Sequence, residues 1–164
     1  MRPLRVLIVD DSAVNRRTLT ELLSQMAGVT VVGAAQDGDE ALRSAATLAP
    51  DLITLDLEMP RMDGFTFLRL LMASRPTPVL VVSSHSAKEN VFRALELGAI
   101  DFITKPETFL TTQTQTQSVR EQLDRMVAMV RQLSPAKAQA RRMSTPPREL
   151  RPVEPLQPSR KPRP

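Results

Sequence analysis

The chain has 164 residues, 22 Lys and Arg against 18 Asp and Glu, no cysteine, tryptophan or tyrosine, and five phenylalanines; this suits one ordinary domain with a tail and excludes disulfide frameworks, thiolate metal sites and aromatic stacking platforms for nucleic acid. The net charge of +4 is unevenly placed: residues 135–164 hold eight Lys or Arg and two Asp or Glu, whereas residues 1–134 hold fourteen and sixteen, so the globular part has no electrostatic reason to bind nucleic acid. No uncharged apolar run approaches a membrane span, and the lack of cysteine leans toward the cytoplasm.

The residues Met1-Arg2-Pro3-Leu4 ahead of the first strand are too few for a signal peptide. That strand runs from Leu4 to Val9 and leads into Asp10-Asp11. Ser12 then caps a helix reaching about Met26, with Val14, Leu19, Leu22, Leu23 and Met26 on its inner side. A second strand covers Val29 to Ala35, and a helix from about Gly38 to Leu48 is closed by Pro50. The third run, Asp51 to Leu55, enters Asp56 and a loop punctuated by Pro60 and Gly64; Asp63 caps the next helix, which runs to about Ser74. Pro76 and Pro78 precede a fourth strand ending at Ser83. Ala87 to Leu97 is a helix stopped by Gly98, and a fifth strand ends at Lys105-Pro106. A polar Thr/Gln stretch, Thr111 to Ser118, precedes a last helix from about Gln117 to Leu133, whose stripe is Val119, Leu123, Met126, Val127 and Val130.

Alternating strands and helices of this kind imply an α/β fold, a five-stranded parallel sheet with helices on both faces. From residue 134 the periodicity ends. Eight of the last thirty residues are proline, so residues 134–164 read as an extended or disordered linker or tail.

Near-continuous apolar runs are the mark of buried parallel strands, and ligands of open α/β sheets bind outside the carboxyl ends of those strands. The topology therefore gathers Asp10, Asp11, Asp56, Ser83 and Lys105 at one edge, a cluster suited to a divalent metal and a phosphoryl group.

These separated elements resemble the response-regulator receiver domain of bacterial two-component signalling, over about residues 4–133. The resemblance implies the flavodoxin-like strand order 2-1-3-4-5, for which a chemotaxis receiver is a standard example. Leu55-Asp56-Leu57-Glu58-Met59-Pro60-Arg61-Met62-Asp63-Gly64, Arg75-Pro76-Thr77-Pro78 and Ala94-Leu95-Glu96-Leu97-Gly98-Ala99-Ile100-Asp101-Phe102 are similar to the N-terminal regulatory domain of chemotaxis protein-glutamate methylesterases.

The resemblance implies Asp56 as phospho-acceptor, forming an acyl phosphate. It implies Mg²⁺ held by Asp11, Asp56 and the Glu58 backbone carbonyl, with Asp10 acting through a water, and Lys105 and Ser83 contacting the phosphoryl group. Phe102 stands where many relatives carry a switching Tyr, so a readout through that hydroxyl is lost. The output surface would be the fourth helix, fifth strand and fifth helix, the donor a CheA-like histidine kinase, and the Lys105-Pro106 bond cis.

Each residue also has a bland reading: Asp10-Asp11 as a capping turn, Asp56 as a loop carboxylate, Ser83 as a backbone partner and Lys105 as a surface charge. Their joint occurrence argues against it. His85 reads as an exposed loop residue near the site, and the methionines as core filler. No Gly-x-Ser-x-Gly elbow occurs, so this chain is expected not to be an enzyme, and to form the regulatory part of a methylesterase or else a stand-alone regulator with a basic tail. An aspartate-nucleophile phosphohydrolase is disfavoured because the spacing after the first strand is Asp-Asp rather than Asp-x-Asp.

Overall fold

Strands that are apolar on both sides need cover on both faces, and the computed structural model, which describes residues 2–84, 88–105 and 113–133 (backbone only at 113–115), provides it. Strands β1 (Leu4–Val9), β2 (Val29–Ala35), β3 (Leu52–Leu55), β4 (Val79–Ser83) and β5 (Asp101–Thr104) pair in parallel in the order β2-β1-β3-β4-β5. The helices are α1 (Ala13–Ser24), α2 (Gly38–Leu48), α3 (Gly64–Ser74), α4 (Lys88–Glu96) and α5 (Gln113–Leu133).

Because strand side chains alternate, the sheet divides its apolar residues between two cores. Val6, Ile8, Leu52, Leu80 and Val82 pack with Leu19 and Leu23 of α1 and Leu123 and Val127 of α5. Leu7, Val9, Ile53, Leu55 and Val81 pack with Ala41 of α2, Phe67, Leu68 and Leu71 of α3 and Ala94 of α4. This double burial fixes the height of each strand end, and so the position of the residue that follows it.

The caps follow from side-chain chemistry. Ser12, Asp37 and Asp63 accept the backbone N–H of Asn15, Glu40 and Thr66, satisfying donors that the first helical turn leaves open. Gly98 takes φ 110° just after α4, a left-handed region that a side chain disfavours.

One burial assignment and two boundaries differ from the sequence expectation. Val14 lies outside the core, 53% exposed. At about 100° per residue it sits roughly 140° from Leu19 and so on the far side of the Leu19–Leu22–Leu23 stripe. α1 ends at Ser24, with Met26 buried beyond it. α5 begins at Gln113 rather than Gln117; Thr and Gln supply no apolar periodicity, but propagation from the Val119 stripe, helped by the good helix propensity of Gln, lets the helix extend back. His85, Ala87, Pro106, Thr111, Thr112 and the 134–164 tail lie outside the described residues, and so do the readings that fall on them.

Candidate functional site

The carboxyl ends of β1, β3, β4 and β5 converge on a buried polar cluster. Asp10, Asp56, Ser83 and Lys105 are all buried, and Asp11 is exposed above them. Hydrogen bonds across the sheet set the heights: Asp10 N donates to Ala35 O at 3.0 Å, Asp56 N to Val9 O at 2.9 Å and Lys105 N to Ser83 O at 3.0 Å.

Lys105 Nζ lies 2.7 Å from Asp10 Oδ2 and 3.6 Å from Asp56 Oδ2. The other Asp10 oxygen accepts Ser12 N at 2.9 Å. Asp56 Oδ1 accepts Glu58 N at 3.3 Å, and the Ser83 hydroxyl hydrogen-bonds the same carboxyl. Burial nonetheless pushes the Asp56 carboxyl up from its ordinary 3.8 to about 6; Lys105 pulls it down, the neighbouring Asp10 adds to the rise, and the bonds from Glu58 and Ser83 lower it.

Asp10, Asp11 and Asp56 each offer a carboxylate oxygen, all within 4.8 Å of one another. Opposite ligands of an octahedral Mg²⁺ stand about 4.2 Å apart, so small side-chain adjustments bring these oxygens into range of one ion. The charges agree with that fit: three carboxylates face one ammonium, an excess of negative charge that a divalent cation would offset. The donor set is all oxygen, as Mg²⁺ requires.

The loop after Asp56 is shaped by a close backbone contact. Gly64 N donates to Leu57 O at 2.9 Å, and a Cβ at Gly64 would stand 2.6 Å from Asp56 O and 2.7 Å from Leu57 Cα. Only glycine allows α3 to start there. Arg61 turns the same loop with φ 70°.

The receiver profile, described as "Response regulator receiver domain", matches residues 6–117. The chain belongs to the response regulator receiver family. Among solved receivers, the response regulator domain of Thermotoga maritima CheB is 40% identical, with a TM-score of 0.72 over 82% of this chain and all of that one. The CheX-CheY-BeF3-Mg+2 complex from Borrelia burgdorferi contains a chain 32% identical, with a TM-score of 0.61 over 72% of this chain and 90% of that chain. Protein-glutamate methylesterase/protein-glutamine glutaminase 3 of Geobacter sulfurreducens is 54% identical over 127 residues, covering 77% of this chain and 34% of that protein. The corresponding protein 6 of Anaeromyxobacter dehalogenans is 51% identical over 152 residues, covering 93% and 42%. The chain thus spans about a third to two-fifths of the length of these curated relatives and resembles the regulatory domain of CheB proteins.

All five side chains expected at the sheet edge meet there. Phe102 is half-buried on β5 and packs against the α2–α3–α4 core. Sequence reasoning missed Arg16, whose Nη1 donates to Asp10 O at 2.8 Å, because a basic residue on an amphipathic helix carries no sign of where its side chain folds back. It also missed the stacking of Arg93 over Phe65, with the guanidinium carbon 4.3 Å from the ring centroid, which joins α4 to the start of α3.

Proposed function

We propose that residues 1–133 form a phospho-acceptor switch in which Asp56 receives a phosphoryl group from a histidine kinase of the chemotaxis CheA type. An Asp56 oxygen attacks the phosphorus of the kinase phosphohistidine, the P–N bond breaks, and the imidazole nitrogen takes a proton from solvent. Asp11, Asp56 and the Glu58 backbone carbonyl would hold Mg²⁺, with Asp10 acting through a water. Bound there, the ion supplies charge neutralisation for the incoming phosphoryl oxygens.

The chain's own groups do the rest. Lys105, parked on Asp10 at 2.7 Å and only 3.6 Å from Asp56, is close enough to turn to a phosphoryl group on Asp56. Ser83 offers its hydroxyl to the same group. Phe102 and the α4–β5–α5 surface then carry the change outward, a shift between two populated arrangements. The observation that carries this reading is the Lys105 bridge between Asp10 and Asp56 beneath Asp11. The magnesium named in the Borrelia complex supports it.

The methylesterase names of the relatives support a further assignment: this receiver regulates a C-terminal methylesterase domain in a cytoplasmic protein, with residues 134–164 as the linker. Among the described residues, no helix is long and apolar enough to cross a membrane. The test is phosphotransfer from a chemotaxis kinase with Mg²⁺ to the wild type and to Asp56→Asn. Loss of label in the variant is expected; undiminished label would overturn the assignment.

A further inference from the structure

We infer that Arg16 is a positioning residue for magnesium, holding the loop that carries Asp10 and Asp11 from the first turns of α1; the inference rests on the metal-dependent reading of the acidic cluster. The main chain between β1 and α1 is short, and its shape decides where the Asp11 carboxylate points. Arg16 grips that chain at two places. Its guanidinium donates to the carbonyl of Asp10 at 2.8 Å, and its backbone N–H donates to the carbonyl of Ser12 at 3.0 Å. Asp11 lies between the two carbonyls held in this way.

The second bond is the ordinary start of a helix. The first is not: it reaches back six residues to a group outside the helix. Asp10 is fixed at every other polar point by groups already described, its N–H on Ala35 and its carboxylate on Ser12 and Lys105. Its carbonyl is the remaining handle on the peptide joining it to Asp11, and Arg16 holds that handle. Asp11 is the exposed member of the cluster, so fewer packing contacts set its direction.

Arg suits this task because its planar guanidinium bonds a carbonyl along a fixed direction. The cation also stands close to a site meant for another cation, and its charge alone would weaken metal binding. Positioning and charge therefore make opposite predictions. Removing the side chain loosens the loop and lowers magnesium affinity if positioning dominates; it raises affinity if charge dominates.

The test uses the full chain with Arg16→Ala and Arg16→Lys. Mg²⁺ affinity is read by calorimetry, and hydrogen exchange of the Ser12 amide by NMR in metal-free protein. We expect Arg16→Ala to weaken Mg²⁺ binding roughly five- to twentyfold and to speed exchange at Ser12, with α5 amide protection and the far-UV spectrum unchanged. Arg16→Lys keeps the charge and a donor and should recover part of the affinity. Unchanged or tighter Mg²⁺ binding in Arg16→Ala would overturn the inference, as would unchanged Ser12 exchange. Wild-type protein that takes up no Mg²⁺ would instead refute the underlying metal reading, and the Ser12 exchange would still decide whether Arg16 holds the loop.

Discussion

Replacing Asp56 with Asn should stabilise the metal-free protein at neutral pH. Asp56 is 5% exposed and its carboxyl pKa is raised from 3.8 to about 6 by burial, with Asp10 adding to the rise against the pull of Lys105. A raised carboxyl pKa means that the folded state binds the proton more tightly than the unfolded state. Between pH 4 and 6 the folded chain therefore holds more protons, and stability falls as pH rises. The gap is worth about 3 kcal/mol, lost in full above pH 7, with about half of the loss between pH 5 and 7.5. Asn carries no charge to desolvate. In urea unfolding with chelator, Asp56→Asn should exceed wild type by up to about 3 kcal/mol at pH 7.5 and by roughly half as much at pH 5. Millimolar Mg²⁺ should narrow the gap by stabilising wild type more. A variant no more stable than wild type at pH 7.5, or a difference independent of pH, would refute the claim that this carboxylate is held at a cost.

Lys105→Met should destabilise by about 3–5 kcal/mol in denaturant melts, because it leaves Asp10 buried without its 2.7 Å partner. Among the described residues, the Thr54 hydroxyl is buried on β3 with no hydrogen-bond partner; Thr54→Val, nearly the same shape, should raise stability by about 1–2 kcal/mol in the same assay. Gly64→Ala, whose methyl would meet the Asp56 and Leu57 backbone, should cost more than 1 kcal/mol and weaken Mg²⁺ binding measured by calorimetry. Phe65→Leu should cost about 0.5–1 kcal/mol beyond the packing change, seen as coupling to Arg93→Ala in a double-mutant cycle.

The sequence showed the fold through its strands, because β1, β3 and β4 are buried on both faces and read as near-continuous apolar runs. It showed Asp10, Asp56 and Ser83 for the same reason, since each is the polar residue on which such a run stops; Asp11 follows directly on Asp10, and Lys105 follows the shorter β5. Ser12 and Asp63 were legible as caps because their chemistry acts within one helical turn. What remained hidden depends on contacts far apart in the chain or on a side chain's reach. Val14 looked apolar and inward, but helical phase turns it to solvent. The start of α5 has no apolar marker. The Arg16 bond and the Arg93–Phe65 contact involve long, freely rotating cationic side chains, for which residue type says nothing about direction.

The bare approach of Gly64 to the main chain of Asp56 and Leu57 has a mechanical meaning. No side chain separates the modifiable acid from the root of α3, so nothing soft is available there to absorb a displacement. Movement of the acid's own peptide would be handed directly to the helix, and from Phe65, the next residue, across to α4 through Arg93. The receiver thus contains a stiff linkage whose first joint works only because an atom is missing.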